Sequence, residues 1–287
     1  MSDTDGRSLV NLGEFTKPVT VLIEKMSDAA GVLYEPHRIR KAAQAKADSV
    51  IIAVRAQIEI TDLNQRALER FIKEESQKQE NIEAIISGAI PLIEDASNPD
   101  VVENDWMANF FDKCRLTSDD EMQILWSKVL AGEANQPGKY STRAINLLAA
   151  LDKKDAEFFT KLCGFSLSFI ENISPFIDNL ESDIYKENGI TEMELQYLDN
   201  LGLIRFIDVG QLGITIDIDV NNARLIIVYF GKTTVLRKDV KANERIAIGR
   251  VTFTKIGRQL SQICGSQAVP GFEEYAIEKM ITKGWQA

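Results

Sequence analysis

The sequence predicts a mainly α-helical protein that has a long helical arm, a compact helical core and a C-terminal α+β domain. Residues 37–93 contain no convincing helix breaker before Gly88 and Pro91, whereas the residues after Thr191 begin to alternate with the period of two that is typical of strands. With 287 residues, 45% of them hydrophobic, the chain can bury a substantial core. We expect four segments: a tail and amphipathic helix over 1–36, the arm over 37–95, the helical core over 96–187 and the α+β domain over 188–287.

The first predicted element is an amphipathic helix over residues 19–34, which Pro36 stops. Its apolar residues recur at helical intervals: Val19, Leu22, Ile23, Met26, Ala29, Ala30 and Leu33. A helix that lies on a membrane surface normally carries a row of Lys and Arg, and this one carries Glu24, Lys25 and Asp28. We therefore expect the helix to dock on the protein's own core, with a membrane-surface helix as the alternative.

The arm over residues 37–93 would be roughly 80 Å long if it were one continuous helix, which is more than a globular core requires. Its apolar residues follow steps of three and four at both ends, as in a coiled coil, and the middle is mostly charged. The positions that we expect to drive self-association are Ile39, Ala43, Ala47, Val50, Val54, Ile58, Ile82, Ile85 and Ile93. The pattern predicts a homo-oligomer, and a helical hairpin folded back on one chain is the alternative.

The core contains a run of short amphipathic helices between Asn104 and Cys163, the first with a bulky stripe that includes Trp106 and Phe110. Three side chains are expected to cap helices: Ser118 in a capping box with Glu121, Ser141 and Asp152. The segment Asn135-Gln-Pro-Gly138 predicts the turn that ends the second helix. We interpret the aromatic residues as core packing rather than as a cofactor site.

This central stretch resembles two families. The segments that carry the resemblance are Asp105-Trp106, Asn109 to Arg115, Asp119 to Gln123, Leu125-Trp126, Lys128 to Glu133, Asn146 to Leu148, Leu151-Asp152 and Asp155-Ala156. They resemble an uncharacterised bacterial family known only as a domain of unknown function, over most of the chain. The run Leu125-Trp-Ser-Lys-Val-Leu-Ala131 is also similar to the Abi-alpha group, named for abortive infection of phage-infected bacteria. The resemblance implies phage defence or prophage biology, and it brings no catalytic motif.

The C-terminal segment alternates helices and strands. Thr191 and Glu194 form a second predicted capping box, and strands are predicted over residues 203–207, 214–220, 225–230 and 250–253. Asn221-Asn222 is expected to join the second and third strands as a hairpin, the third being the more fully buried. Thr254 is expected to cap the next helix, and a last helix covers residues 272–280. This layout resembles a winged helix.

A winged helix can contact nucleic acid or protein. Its expected recognition helix carries Glu192, Glu194 and Asp199 and no basic residue, which favours a protein contact. The net charge of −10 also argues against a general nucleic-acid binder. A small basic rim keeps nucleic acid as the alternative, and its residues are Lys232, Arg237, Lys238 and Lys241.

The sequence offers no catalytic, cofactor-binding or metal-binding motif. Gly231-Lys232-Thr233 lacks the earlier glycine of a phosphate-binding loop, since Ile226 stands there, and His37 is the only histidine. The three scattered cysteines, Cys114, Cys163 and Cys264, predict reduced thiols, most of them buried, in a cytoplasmic protein. We expect a non-enzymatic, self-associating interaction protein without a cofactor. A winged-helix nucleic-acid regulator and a membrane-acting effector are the alternatives.

Overall fold

The computed structural model describes residues 15–32, 34, 62–169, 172–207, 214–218, 224–239 and 244–286. It divides into two compact units, Met1–Ala149 and Ala150–Ala287. The first is helical and the second combines helices with small antiparallel sheets, which confirms the mainly helical fold class. The division groups residues 150–187 with the later residues, whereas the sequence analysis assigned them to the helical core.

The first unit consists of helices α1 (Lys17–Ala30), α2 (Asp62–Ala89), α3 (Asn104–Cys114), α4 (Asp120–Asn135) and α5 (Thr142–Ala150), with short 3-10 turns at Ile90–Leu92 and Pro99–Val101. Helix α1 packs its apolar side on α3 and on the second of these turns. The residues that it buries are Pro18, Val19, Leu22, Ile23 and Met26. The predicted docking of this helix on the protein's own core is therefore observed. Within the described residues, every helix is too short or too polar to cross a bilayer.

Aromatic rings fill the centre of the first unit. The Phe110 ring stacks on Trp106 and meets Trp126 edge-on, each with ring centroids 5.2 Å apart. The Trp106 indole Nε1–H donates to the Tyr140 carbonyl at 2.7 Å, which satisfies its polar atom inside the core. The interpretation of these aromatic residues as core packing agrees with their burial.

The predicted cap of α4 by Ser118 was wrong by one residue. The Asp119 carboxylate is the acceptor, and it receives the backbone N–H groups of Glu121 and Met122 at 3.0 and 3.1 Å. A carboxylate at this position satisfies two otherwise unpaired amides and also faces the positive end of the helix dipole. The other predicted caps are confirmed, since Ser141, Asp152, Thr191 and Thr254 each accept a backbone N–H at the start of a helix.

The second unit begins with helix α6 (Lys153–Cys163) and strands β1 (Ser166–Phe169) and β2 (Asn172–Pro175). Its other elements are α7 (Asp183–Lys186), α8 (Glu192–Asn200), β3 (Ile204–Phe206), β4 (Ile214–Ile218), β5 (Arg224–Tyr229), β6 (Lys232–Arg237), β7 (Glu244–Gly249), β8 (Val251–Phe253), α9 (Lys255–Ser261) and α10 (Phe272–Thr282). One antiparallel sheet has the order β2-β1-β5-β6. The remaining strands form the antiparallel pairs β3-β8 and β4-β7.

The strand pairing corrects the predicted hairpin. Strand β4 pairs with β7, whereas β5 forms its hairpin with β6 and also pairs with β1. Phe230 and Gly231 join β5 to β6 with φ of 43° and 84°, and two consecutive left-handed residues make the tight turn that matches strand twist. Strand β5 is also less buried than predicted, because Ile226 is 42% exposed. This topology does not confirm the winged-helix-like assignment.

Candidate functional site

Most of the residues predicted to drive self-association lie outside the described part of the chain: Ile39, Ala43, Ala47, Val50, Val54 and Ile58. Ile82 and Ile85 lie in α2 and are 7% and 0% exposed, in the core of the first unit. Ile93 follows the end of α2 and is half-buried. The described members of the set therefore belong mainly to the protein's own packing.

Helix α2 has two halves that differ in their surroundings. Residues 81–89 include all the buried positions of the helix, among them Ile85 and Ile86, and α2 packs against α4. Residues 62–80 include no buried position. At 1.5 Å per residue, the stretch from residue 62 to residue 80 is about 28 Å long. Among the described residues, it is the longest helical stretch without a buried side chain.

Five apolar residues in the exposed half lie on one side of the helix, and we call them the apolar face of α2: Leu63, Ala67, Leu68, Phe71 and Ile72. Their spacings of four, five, eight and nine residues cover about half of the helix circumference. Leu63 is 67% exposed and Phe71 is 59% exposed. The opposite side is charged, with an Arg66–Asp62 ion pair at 3.2 Å. This half of α2 is therefore an amphipathic helix whose apolar side remains accessible.

Three of the four residues of the predicted basic rim lie in the described part of the chain, in different surroundings. Lys232, at the start of β6, forms an ion pair with Glu273 at 2.9 Å, and Lys238 lies 6.0 Å from the centroid of the Trp285 ring. Arg237 stands at the other end of β6, and Lys241 lies outside the described residues. Because residues five apart in a strand point to opposite faces, Lys232 and Arg237 do not share a surface.

A pocket of about 340 Å³ opens in the second unit. Its walls come from strands β1, β2 and β5, from the Phe230-Gly231 turn, and from the end of α9 with the loop that follows. Four serines line it, Ser166, Ser168, Ser261 and Ser266, together with Cys163. The pocket wall exposes more apolar than polar surface, and the pocket is large enough to hold several water-sized molecules.

Two features of the pocket wall are unusual for ordinary packing. Ser166 is 5% exposed, and its Oγ has no hydrogen-bond partner within the protein. Buried hydroxyls normally have a partner, so this one is an exception. Phe230 has a left-handed backbone and a half-exposed ring, a conformation that costs free energy for any residue other than glycine.

Two cysteines meet beside this pocket. Cys163 ends α6 and is 3% exposed, whereas Cys264 follows α9 and is half-buried. The interaction with the Cys163 thiol lowers the pKa of the Cys264 thiol to about 6, and interactions with Ser266 and Thr160 act in the same direction. Burial raises the pKa of Cys163, which therefore keeps its proton. In the thiol form, Cys264 donates to the Ser261 carbonyl at 3.4 Å.

A family model, described as a protein of unknown function (DUF2806), matches residues 65–276. The chain belongs to the DUF2806 family. No curated protein and no solved structure matches it. The family description names no activity. The two candidate sites of the chain are the apolar face of α2 and the pocket with its neighbouring cysteines.

The DUF2806 match includes both candidate sites and excludes other parts of the chain. It begins inside α2, so it contains Ala67, Phe71 and the rest of the apolar face except Leu63. It also contains the pocket and both cysteines, and it ends inside α10. Helix α1 lies before the matched residues.

The sequence analysis missed the cysteine pair and treated its members as scattered thiols. Cys163 and Cys264 are far apart in the DUF2806 chain and show none of the close spacings that reveal a metal or redox motif. Within the described residues, no group of three or more His, Cys, Asp or Glu side chains could hold a metal ion. The apolar face of α2, in contrast, could have been found from its helical spacing.

Proposed function

We propose that this member of DUF2806 is a self-associating interaction protein, in which the apolar face of α2 packs against the same face of a second copy. The observation that carries the proposal is the exposure of Leu63 and Phe71 on a helix whose other half is held in a folded core. Burying a Leu or Phe side chain contributes about 1.5–3 kcal/mol, so a symmetric pair of such faces gains free energy from association.

The charges of the exposed half are compatible with a second copy as the partner. Between residues 62 and 80 the chain has five acidic and four basic side chains, so this surface is nearly neutral although the whole chain carries −10. Two such surfaces can meet without strong like-charge repulsion. An isolated helix of this length is only marginally stable in water, and a partner that covers its apolar side would stabilise it.

Light scattering coupled to size-exclusion chromatography over a range of protein concentrations tests the proposal. We expect a defined multimer for the natural chain and a monomer for the double variant Leu63→Asp, Phe71→Asp, with circular dichroism showing that the variant remains folded. Met193→Asp is the matched control, because Met193 is 79% exposed on α8 in the second unit. A natural chain that is monomeric at every concentration, or a double variant that associates as the natural chain does, would rule out this face as the contact.

We also propose, from resemblance, that the protein is bacterial or prophage-encoded and acts in abortive infection. The support is the likeness of residues 125–131 to the Abi-alpha group. In this segment of α4, Trp126, Val129 and Leu130 are at most 1% exposed, so the shared pattern is one of core packing. Phage plaque counts on bacteria with and without the gene test the context. The association variant is the informative comparison, because it should lose protection if self-association is needed.

The alternative functions have less support. The apolar side of α1 is occupied by the protein's own core, and Lys232 is paired with Glu273. We retain a cytoplasmic, non-enzymatic interaction protein as the proposal. The ratio of absorbance at the nucleic-acid and protein maxima, measured on the chromatography peak at low salt, tests the nucleic-acid alternative directly.

A further inference from the structure

We propose that the exposed edge of strand β6 is a docking site for an acidic, extended segment of a partner protein, which adds a strand to the sheet and pairs a carboxylate with Arg224 and Arg237. This inference concerns the second unit alone and goes beyond self-association, which involves α2 in the first unit. Addition of a peptide strand to a sheet edge is a common mode of recognition, in which main-chain hydrogen bonds provide affinity and side chains provide specificity.

Strand β6 is the last strand of the order β2-β1-β5-β6. Within the described residues, Gln286 alone pairs with the side of β6 that faces away from β5. The Arg237 N–H donates to the Gln286 carbonyl and the Gln286 N–H donates to the Arg237 carbonyl, each at 2.8 Å. The edge therefore already accepts one residue in the geometry of an antiparallel strand.

The next two edge positions along β6 are Thr233 and Val235. The direction of the peptide groups alternates along a strand, so the N–H and C=O groups of these residues point away from β5, as those of Arg237 do. Both residues are exposed. In the part of the chain that the structure describes, no residue pairs with them on that side. An unpaired edge of this kind is the template on which another strand adds.

The side chains beside this edge form an apolar pair next to a basic pair. Ile226 lies directly opposite Val235 in the β5–β6 ladder, and each is 42% exposed. Arg224 lies opposite Arg237, two residues further along the same face. An added strand with one apolar and one acidic side chain on this face would match both pairs.

The charges identify the partner as acidic. Arg224 and Arg237 are both exposed, and like charges directly opposite each other destabilise a strand pair. Neither guanidinium has an ion-pair partner among the described side chains. A carboxylate bound by both would remove this repulsion and add the charge-assisted hydrogen bonds that guanidinium groups form well.

Two other occupants fit the edge less well. A second copy of β6 would bring Lys232 and Arg237 close to the same residues of its partner, and β6 contains no acidic residue to offset them. A nucleic acid would pair its phosphates with the arginines, but it would not use the outward main-chain groups of Thr233 and Val235. An acidic peptide uses the main-chain groups, the apolar pair and the basic pair together.

The test measures fluorescence polarisation of a labelled peptide, capped at both ends, in which Glu and Val alternate over seven residues. We expect saturable binding to the full-length chain that weakens as salt is added. The same peptide N-methylated at every residue keeps its charges but donates no main-chain hydrogen bond, so it should bind at least about tenfold more weakly. A peptide with Lys in place of Glu should not bind. These comparisons use the natural chain and need no variant to fold.

Variants of the chain separate the charge from the edge. The double variant Arg224→Glu, Arg237→Glu should bind the acidic peptide at least about tenfold more weakly and should bind the Lys peptide instead. The matched control is Lys154→Glu, Lys255→Glu, which makes the same change of net charge at exposed residues in the first turns of α6 and α9. It should bind the acidic peptide as the natural chain does.

Val235→Pro tests the edge without changing any charge. Its N–H points away from β5, so proline should leave the β5–β6 hydrogen bonds in place and still block an added strand, which circular dichroism would check. We expect at least about tenfold weaker peptide binding. No binding to the natural chain, equal binding of the N-methylated peptide, or an equal loss in the lysine control would overturn the proposal. So would tighter binding of a single-stranded oligonucleotide of equal charge, because that would identify nucleic acid as the ligand of the two arginines.

Discussion

The two halves of helix α2 have the same backbone structure and different surroundings. Residues 81–89 bury Ile82, Ile85 and Ile86 in the first unit, whereas residues 62–80 leave Leu63 and Phe71 exposed. Both halves have an apolar side at helical spacing. The pattern therefore identifies a face that needs covering, and it does not say what covers it.

Helix α1 reinforces this comparison. It is also amphipathic, and its apolar side chains, such as Leu22 and Met26, are at most 1% exposed because α3 and the Pro99–Val101 turn lie against them. A buried Ile or Leu contributes about 1.5–3 kcal/mol to folding, and an exposed one contributes little until a partner arrives. The same residue types thus stabilise the unit in one half of α2 and are available for binding in the other.

The largest expected difference between the halves comes from introducing a charge. Ile85→Asp places a carboxylate at a fully buried site, and we expect it to destabilise the first unit by more than about 4 kcal/mol or to unfold it. Phe71→Asp should change the unfolding free energy of the monomeric chain by less than about 0.5 kcal/mol, because Phe71 is exposed. Chemical denaturation followed by circular dichroism measures both. Similar losses for the two variants would show that the exposed half is part of the folding core.

Proline substitution is expected to have the next largest effect. Ala67 and Ala84 are both exposed residues of α2, one in each half. Ala84→Pro should cost about 3 kcal/mol, since proline removes a backbone hydrogen bond and its ring clashes with the preceding turn. Ala67→Pro should lower the helical signal but leave the thermal midpoint of the core unchanged, because only the exposed half unwinds. The double variant Leu63→Asp, Phe71→Asp is the background for both, so that association does not obscure the comparison.

Equal thermal midpoints for Ala67→Pro and Ala84→Pro would contradict the difference between the two halves of α2, whether both midpoints fall or neither does. If both fell, the exposed half would support the core. If neither fell, the packing of residues 81–89 on α4 would contribute less than their burial indicates.

Local chemistry made much of the fold predictable from the sequence. A capping side chain precedes each of four helix starts, at Thr142, Lys153, Glu192 and Lys255. Each of these signals lies within four residues of the start of its helix. Strand pairing was harder, because β4 and β7 are separated by the whole β5–β6 hairpin. The composition of Asn221-Asn222 predicted a hairpin turn there, and the observed hairpin turn lies at Phe230-Gly231. Turn preferences do not favour a phenylalanine at a left-handed position.

The two candidate sites also differ in how far apart in the sequence their residues lie. The apolar face of α2 is a local pattern, visible in the spacing of Leu63, Ala67 and Phe71. The Cys163–Cys264 pair exists only because α6 and the loop after α9 meet in three dimensions, and no spacing rule connects residues so far apart. Sequence reasoning could therefore find a surface but not a pair of thiols.

The smallest of the three predicted differences between the two halves of α2 concerns Gly88, where α2 approaches α4. A Cβ atom on Gly88 would stand 2.5 Å from the Ser127 Oγ, which itself lies 2.8 Å from the Ile85 carbonyl oxygen. Gly88→Ala gains about 1 kcal/mol of helix propensity, but it displaces this hydroxyl and its hydrogen bond between helices, so we expect a net loss of about 1 kcal/mol. Ser76→Ala, in the exposed half, should change stability by less than about 0.5 kcal/mol.

A double-mutant cycle separates the clash from the propensity. In a Ser127→Ala background the Oγ is gone and the nearest remaining atom, the Ser127 Cβ, is 3.1 Å from the new methyl group. Gly88→Ala should then be neutral or stabilising, and the coupling between the two positions should exceed about 0.5 kcal/mol. Additive effects would mean that Gly88 does not set the distance between α2 and α4. In that case the close packing of residues 81–89 would rest on their buried side chains, Asn81, Ile82, Ile85, Ile86 and Ala89.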